Sequence, residues 1–201
     1  MSVTAVAIVA GGYLAGSIPT GYWLVRLLRG EDLRSQGSGN MGGSNVWRTY
    51  GRGLGLPVVL FDVAKGFVPA LVGTQVAGPF WGVLAGAAAM FGHWRPLFLG
   101  FKRGGKMVAT CGGAFLGVAP LVALTVTVVW LVIFLLSRYA SLASMLSAAM
   151  LPVAALLFSQ RWPVIAFGVG AAAGVFLLHR ANIGRLLHGT EHRFQLRRPA
   201  V

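Results

Sequence analysis

MVATCGGAFLGVAPLVALTVTVVWLVIFLL, residues 107 to 136, runs for thirty positions without a charged side chain. About 20 apolar residues suffice to cross the ~30 Å hydrocarbon core of a bilayer. The stretch therefore fits one long tilted helix, or two short helices that turn near Gly117-Val118-Ala119-Pro120, where glycine and proline permit a reversal. The choice decides on which side of the membrane every later residue lies.

The rest of the chain is of the same kind. Further apolar runs cover about 3 to 28, 54 to 76, 79 to 100, 140 to 158 and 163 to 178. Of the 201 residues, 56% are hydrophobic and 10% charged, and mean hydropathy is +0.74. A soluble globule of this size cannot bury that much apolar surface, so a polytopic membrane protein is expected. The N-terminus has no basic segment before its apolar run, which continues to about Leu28, so it is expected to be a retained span and not a cleaved signal.

The net charge of +13 lies in short patches between the apolar runs instead of covering one soluble face. That distribution suits anionic headgroups and phosphorylated substrates and argues against nucleic acid. The single cysteine, Cys111, excludes an intrachain disulfide and a cysteine-based metal site and is expected to pack as a small hydrophobe. No His/Cys/Asp/Glu cluster suggests a metal, and no cofactor is expected.

Charge placement arbitrates the ambiguous stretch. With the N-terminus outside, Arg26, Arg29, Arg34, Arg48 and Arg52 fall in the cytoplasm, as do Lys102, Arg103 and Lys106, in keeping with the positive-inside rule. One helix over 107 to 136 would then send Arg138, and later Arg180, Arg185, Arg193, Arg197 and Arg198, to the outer face. Two short helices restore the parity. The expected architecture is all-α: a single polytopic helical bundle over 1–201 with seven membrane segments, N-terminus outside and C-terminus cytoplasmic, leaving Arg161 as the exception. Gly82, Gly86, Gly168, Gly170 and Gly174 are expected to let helices approach closely.

Three polar segments interrupt the apolar runs. GSGNMGGSNVWR, 37 to 48, combines four glycines with Ser38, Asn40, Ser44, Asn45 and Arg48; such a loop can present backbone N–H groups and a planar guanidinium to a phosphate, or can simply be a turn. In GFKRGGKM, Gly100, Gly105 and Lys106 match the start of a nucleotide P-loop, but Met107 stands where magnesium binding needs Ser or Thr, and no strand-loop-helix surrounds it. Lys106 can still bind phosphate as a mobile charge. In HRANIGRLLHGTEHRF, from 179, a helical continuation would bring His179, Asn182 and Arg185 onto one face, with Gly189 ending the helix. His179 can be a general base, a hydroxyl-orienting group or a helix-end contact. Glu191, one of four acidic residues, fits a structural ion pair better than acid-base chemistry. Asp62 and Lys65 are expected to pair within a span, and His93-Trp94-Arg95-Pro96 to mark a membrane boundary.

Taken in order, these segments resemble the PlsY family of bacterial acyl-phosphate:glycerol-3-phosphate acyltransferases. SGNMGGSNVWR is similar to the family's SGN-x-GATN-x-x-R, and HRANIGRLLHGTE to its HR-x-N-I-x-RLL-x-G-x-E. The middle segment departs from FKGGKGVAT by the inserted Arg103 and by Met107 in place of glycine; aligned on Val108-Ala109-Thr110, Lys106 is the matching lysine. The resemblance implies transfer of a fatty acyl group from acyl phosphate to the sn-1 hydroxyl of glycerol 3-phosphate, giving lysophosphatidic acid and phosphate. It implies catalytic roles for Ser38, Arg48, Lys106, His179 and Asn182, substrate binding by Gly39, Asn40, Asn45, Gly104 and Gly105, and a structural role for Glu191. It further implies a multi-pass protein of the bacterial inner membrane with a cytoplasmic active site, in contact with membrane lipids and supplied by a soluble acyl-phosphate synthase. A transporter of an anionic phosphorylated solute would use similar basic groups, and an interaction protein is a third alternative.

Overall fold

The computed structural model describes residues 3–194; Arg197 and Arg198 lie outside the described residues. The described chain forms α1 (Val3–Gly16), α2 (Thr20–Arg29), α3 (Gly43–Tyr50), α4 (Arg52–Ala77), α5 (Pro79–Trp94), α6 (Val108–Val118), α7 (Pro120–Ser137), α8 (Ala140–Leu157), α9 (Trp162–Leu178) and α10 (Arg180–Leu187), with 3-10 turns at Leu33–Ser35 and Leu97–Leu99. Val3–Arg29, Arg52–Ala77, Pro120–Ser137 and Ala140–Leu157 are long and apolar enough to cross a membrane, and α9 with α10, bent by 60°, makes a fifth candidate. α5 and α6, of 16 and 11 residues, are shorter; at 1.5 Å per residue, α6 is only about 16 Å long.

The charge-free stretch folds as two helices. α6 stops at Val118, Ala119 is extended, and Pro120 opens α7, where its missing N–H costs nothing. The two outer ends of this pair reach the same neighbourhood. Lys106, just before α6, bonds Asn182, while beyond α7 the Arg138 carbonyl accepts the Phe194 N–H and Ser141 bonds Glu191. The chain thus leaves one end of the bundle and returns to it. At the opposite end, Gly78-Pro79-Phe80-Trp81 and Arg161-Trp162-Pro163 line a common cavity, so Arg161 lies far from the three polar segments.

α4 is the spine, packed against α1, α3, α5 and α6. Lipid provides no hydrophobic drive between helices, so close backbone approach has to supply the attraction. At the α4–α6 crossing a Cβ on Gly66 would overlap the Thr110 carbonyl, and one on Gly113 the Val63 carbonyl. Phe115 of α6 stacks on Phe167 of α9 at 4.6 Å between ring centroids, joining this half to the α8–α9 pair. Of the spans' glycines, Gly82, Gly86 and Gly168 do make helix contacts, whereas Gly170 has no neighbour within 4 Å and contributes no packing surface.

The charges inside α4 pair as their spacing predicts. Asp62 and Lys65 are buried, with Nζ 2.7 Å from Oδ1. Lys65 also donates to the Ile18 carbonyl at 2.9 Å, a second donor beside the Thr20 N–H at the break between α1 and α2. Replacing Asp62 with Asn strands the Lys65 charge and should cost about 3–5 kcal/mol of stability. The double replacement Asp62→Leu with Lys65→Met should recover more than half of that loss. Thermal unfolding of detergent-solubilised variants measures both.

Candidate active site

The first polar segment is a loop that folds around its own asparagines. Asn45, at the start of α3, donates through Nδ2 to the carbonyls of Gln36 and Asn40, at 3.0 and 2.9 Å, and accepts the Ser38 N–H through Oδ1 at 2.9 Å. Asn40 Oδ1 accepts the Gly42 N–H at 2.9 Å. Gly37 and Gly39 take positive φ, +56° and +66°, which glycine tolerates without a steric cost. Ser38 stands exposed on this loop. One turn further along α3, Arg48 is half-buried with its guanidinium 5.6 Å from the centre of the Phe194 ring. Burial lowers its proton affinity, with the Glu191 carboxylate opposing that and Arg185 adding to it.

The second segment brings Lys106 to the site on a backbone laid flat against the end of α5. The Gly104 N–H donates to the Trp94 carbonyl at 2.8 Å and the Gly105 N–H to the His93 carbonyl at 2.9 Å. The N–H groups of these two glycines are therefore already paired inside the protein. What the glycines supply is close approach: a Cβ on Gly104 would strike the His93 carbonyl, and one on Gly105 the His93 ring. Met107 follows at φ +67°, a left-handed conformation in which a side chain costs roughly 1–2 kcal/mol. That is the physical reason a glycine suits this position, and Met107 occupies it in spite of the cost.

The third segment is not one continuous helix. The chain bends by 60° between α9 and α10, and His179 sits at the bend, 3% exposed. Its Nδ1 is 2.8 Å from the Val175 carbonyl, so Nδ1 carries the hydrogen and Nε2 is left as an acceptor. Asn182 links the segments: Oδ1 accepts from Lys106 Nζ at 2.5 Å, and Nδ2 donates to Glu191 Oε1 at 2.7 Å. Glu191 is also bound by Ser141 Oγ at 2.8 Å and by Arg185 Nε at 2.7 Å. Gly189, at φ +68°, turns the chain after α10 so that Glu191 can reach back.

Electrostatics unite the cluster. The Lys106 pKa is driven down to about 8 by burial, opposed by the Glu191 carboxylate, with Arg185, Arg103 and Arg48 adding to the lowering. Burial raises the Glu191 pKa, but hydrogen bonds from Asn182, Ser141 and Arg185 outweigh it and hold the carboxyl below its usual range. Three cationic side chains, Arg48, Lys106 and Arg185, thus share one carboxylate that is already hydrogen-bonded. The surplus positive charge suits a phosphate dianion.

Of the residues singled out from sequence, Arg48, Lys106, His179, Asn182 and Glu191 come together through direct bonds or mutual charge. Asn40 and Asn45 use their amides to shape the first loop, which also carries Ser38 and Gly39. Sequence reasoning missed Ser141, a serine in an apolar helix fifty residues from its carboxylate partner, and Phe194 under Arg48. Ser141 stands in no recognisable motif and Phe194 only closes the third polar segment, so tertiary contact alone reveals their roles.

Comparison with known proteins establishes the family. A family model described as Glycerol-3-phosphate acyltransferase matches residues 6–189. A glycerol-3-phosphate acyltransferase of Desulforudis audaxviator (strain MP104C) is 45% identical, over 98% of this chain and 100% of its own. One from Synechococcus sp. (strain JA-2-3B'a(2-13)) is 46% identical over 95% of each chain. The crystal structure of PlsY (YgiH), an integral membrane glycerol 3-phosphate acyltransferase in its glycerol 3-phosphate form, superposes with a TM-score of 0.92 at 40% identity, covering 96% of each chain. Its lysophosphatidic acid form gives 0.88 at 38% identity with the same coverage. Motif order, helical architecture and overall likeness lead to one conclusion: the chain belongs to the PlsY family of glycerol-3-phosphate acyltransferases.

Proposed function

We propose that this protein transfers a fatty acyl group from acyl phosphate to the sn-1 hydroxyl of glycerol 3-phosphate, releasing lysophosphatidic acid and inorganic phosphate. The observation that carries this reading is the surplus of positive charge around Glu191, built from Arg48, Lys106 and Arg185 at the end of an apolar bundle. Both reactants carry a phosphate and one carries a lipid tail, so such a boundary can hold them together. Positioning and charge stabilisation then lower the barrier.

The chemistry needs no acyl-enzyme, because phosphate is already a good leaving group. The glycerol hydroxyl oxygen attacks the acyl carbonyl carbon, the bond from that carbon to the phosphate oxygen breaks, and the hydroxyl proton ends on the departing phosphate. His179 Nε2, an acceptor in the tautomer set by Val175, orients the hydroxyl, and Asn182 and Lys106 hold phosphate oxygens. Arg48 and Ser38 act with them on the phosphorylated ends, and Gly39, Asn40 and Asn45 shape the first loop. Gly104 and Gly105 seat Lys106, and Glu191 fixes Asn182 and Arg185.

We assign seven membrane segments in one domain, counting α1 with α2 and α9 with α10 as single spans, with the N-terminus outside. The return of the α6–α7 pair to the site supports this parity. On this reading the site faces the cytoplasm at the bacterial inner membrane, and a soluble acyl-phosphate synthase supplies the donor.

Purified protein in detergent, given both reactants and no sealed compartment, should form lysophosphatidic acid; no turnover there, with solute movement only in vesicles, would favour the transporter. In the same assay His179→Gln should keep turnover within about tenfold, since loss of a true general base costs about 10²–10⁴-fold. The value of about 8 for Lys106 means that the ammonium is charged below that pH and neutral above it. A charged lysine is what binds phosphate, so kcat/KM should fall as pH rises through about 8, and Lys106→Arg should move this limb upward because guanidinium stays charged. For topology, a membrane-impermeant thiol reagent applied to intact cells should label Arg161→Cys but not Arg103→Cys, both in a Cys111→Ala background.

A further inference from the structure

Behind Lys106 lies a buried polar cluster that none of the three motifs contains. Asp62, Lys65 and His93 are 2%, 8% and 7% exposed. Lys65 bridges Asp62 and the Ile18 carbonyl, and Asp62 Oδ1 lies 3.7 Å from His93 Nδ1. The other edge of the His93 ring meets the second polar loop. A Cβ built on Gly105 would overlap Nε2, Cε1 and Cδ2 of that ring, while the Gly105 N–H donates to the His93 carbonyl at 2.9 Å. Met41 of the first loop, with Asp62, Lys65, His93, Gly104 and Gly105, encloses a cavity of only about 10 Å³. The ring therefore fills the space between the α4 charge pair and the loop backbone, one residue before Lys106.

We infer that His93 is a positioning residue for acyl transfer: its imidazole is the seat on which Gly105 rests, its carbonyl lies against Gly104, and through that backbone it sets Lys106 against Asn182. The inference rests on the acyl-transfer reading and deepens it. His93 touches no substrate in this scheme. Its backbone carbonyl and ring clamp the loop from one side, and the Asp62–Lys65 pair backs the ring from the other. A misplacement of about 1 Å at such a point can cost on the order of 100-fold in rate.

The test is a double-mutant cycle between His93 and Gly105. Gly105→Ala drives a methyl into the ring and should lower kcat/KM by about 100-fold. His93→Ala removes the obstacle, so the double variant should be at least about tenfold more active than Gly105→Ala alone, a coupling absent between independent sites. A second readout does not depend on turnover: the pH dependence of Lys106 amine modification, followed by mass spectrometry. Its midpoint should leave about 8 in Gly105→Ala, as the amine loses its buried seat, and return toward it in the double variant. Additive losses in the cycle, or a Lys106 midpoint unmoved in the Gly105→Ala protein, would overturn the inference. Absence of ester product from the wild type, with the modification cycle coupled as expected, would overturn acyl transfer alone and leave the seat standing.

Discussion

The hydrogen-bond chain from Lys106 through Asn182 to Glu191 holds the active end of this molecule together. It joins the loop before α6 to α10, and Ser141 and Arg185 extend it to α8 and to the neighbouring turn of α10. A carboxylate at a membrane boundary is costly unless every lone pair finds a donor. Glu191 draws three side-chain donors, Asn182 and Arg185 one turn apart on α10 and Ser141 on α8. Once it is fixed, Asn182 has one orientation, with its oxygen toward Lys106, and the site retains more cations than it needs for its own neutrality.

That arrangement is possible because the helices beneath it approach closely. Gly66 and Gly113 allow α4 and α6 to touch at backbone level, and the stacked Phe115 and Phe167 tie α6 to α9. His179 is then held at the junction of α9 and α10, and the loop that carries Lys106 is pinned to the end of α5 by the Trp94 and His93 carbonyls. The same logic operates in the first loop, where Asn45 spends its side-chain amide on Gln36, Ser38 and Asn40 and delivers Arg48 on the following helix. Polar residues with the composition of a ligand-binding loop serve here to shape it.

Much of this was legible in the chain. Hydropathy gave the apolar helices, of which four or five are long enough to cross a bilayer, because a bilayer imposes a length on any helix that spans it. The turn at Ala119-Pro120 followed from glycine, proline and the side on which arginines had to lie. Arg48, Lys106, His179, Asn182 and Glu191 stood out as polar groups in an apolar protein, where each must have a reason. Three features were not legible. The Gly104 and Gly105 N–H groups are paired with the Trp94 and His93 carbonyls, which the glycine-rich spacing does not reveal. The bend at His179 interrupts a segment with good helical periodicity. Gly170 shares its sequence environment with Gly168, yet only Gly168 meets a neighbouring helix.

Sequence alone determined the helical membrane class, the break inside residues 107 to 136, the family resemblance and the identity of the charged groups. These are properties of local composition and of the bilayer as solvent, which act on each segment separately. Tertiary structure decided which donors remain open to a ligand and which are consumed internally, which glycines are contact points, and that Ser141, Phe194 and His93 belong beside the motifs. Those outcomes depend on groups tens of residues apart meeting within hydrogen-bond distance, and no local pattern encodes such a meeting.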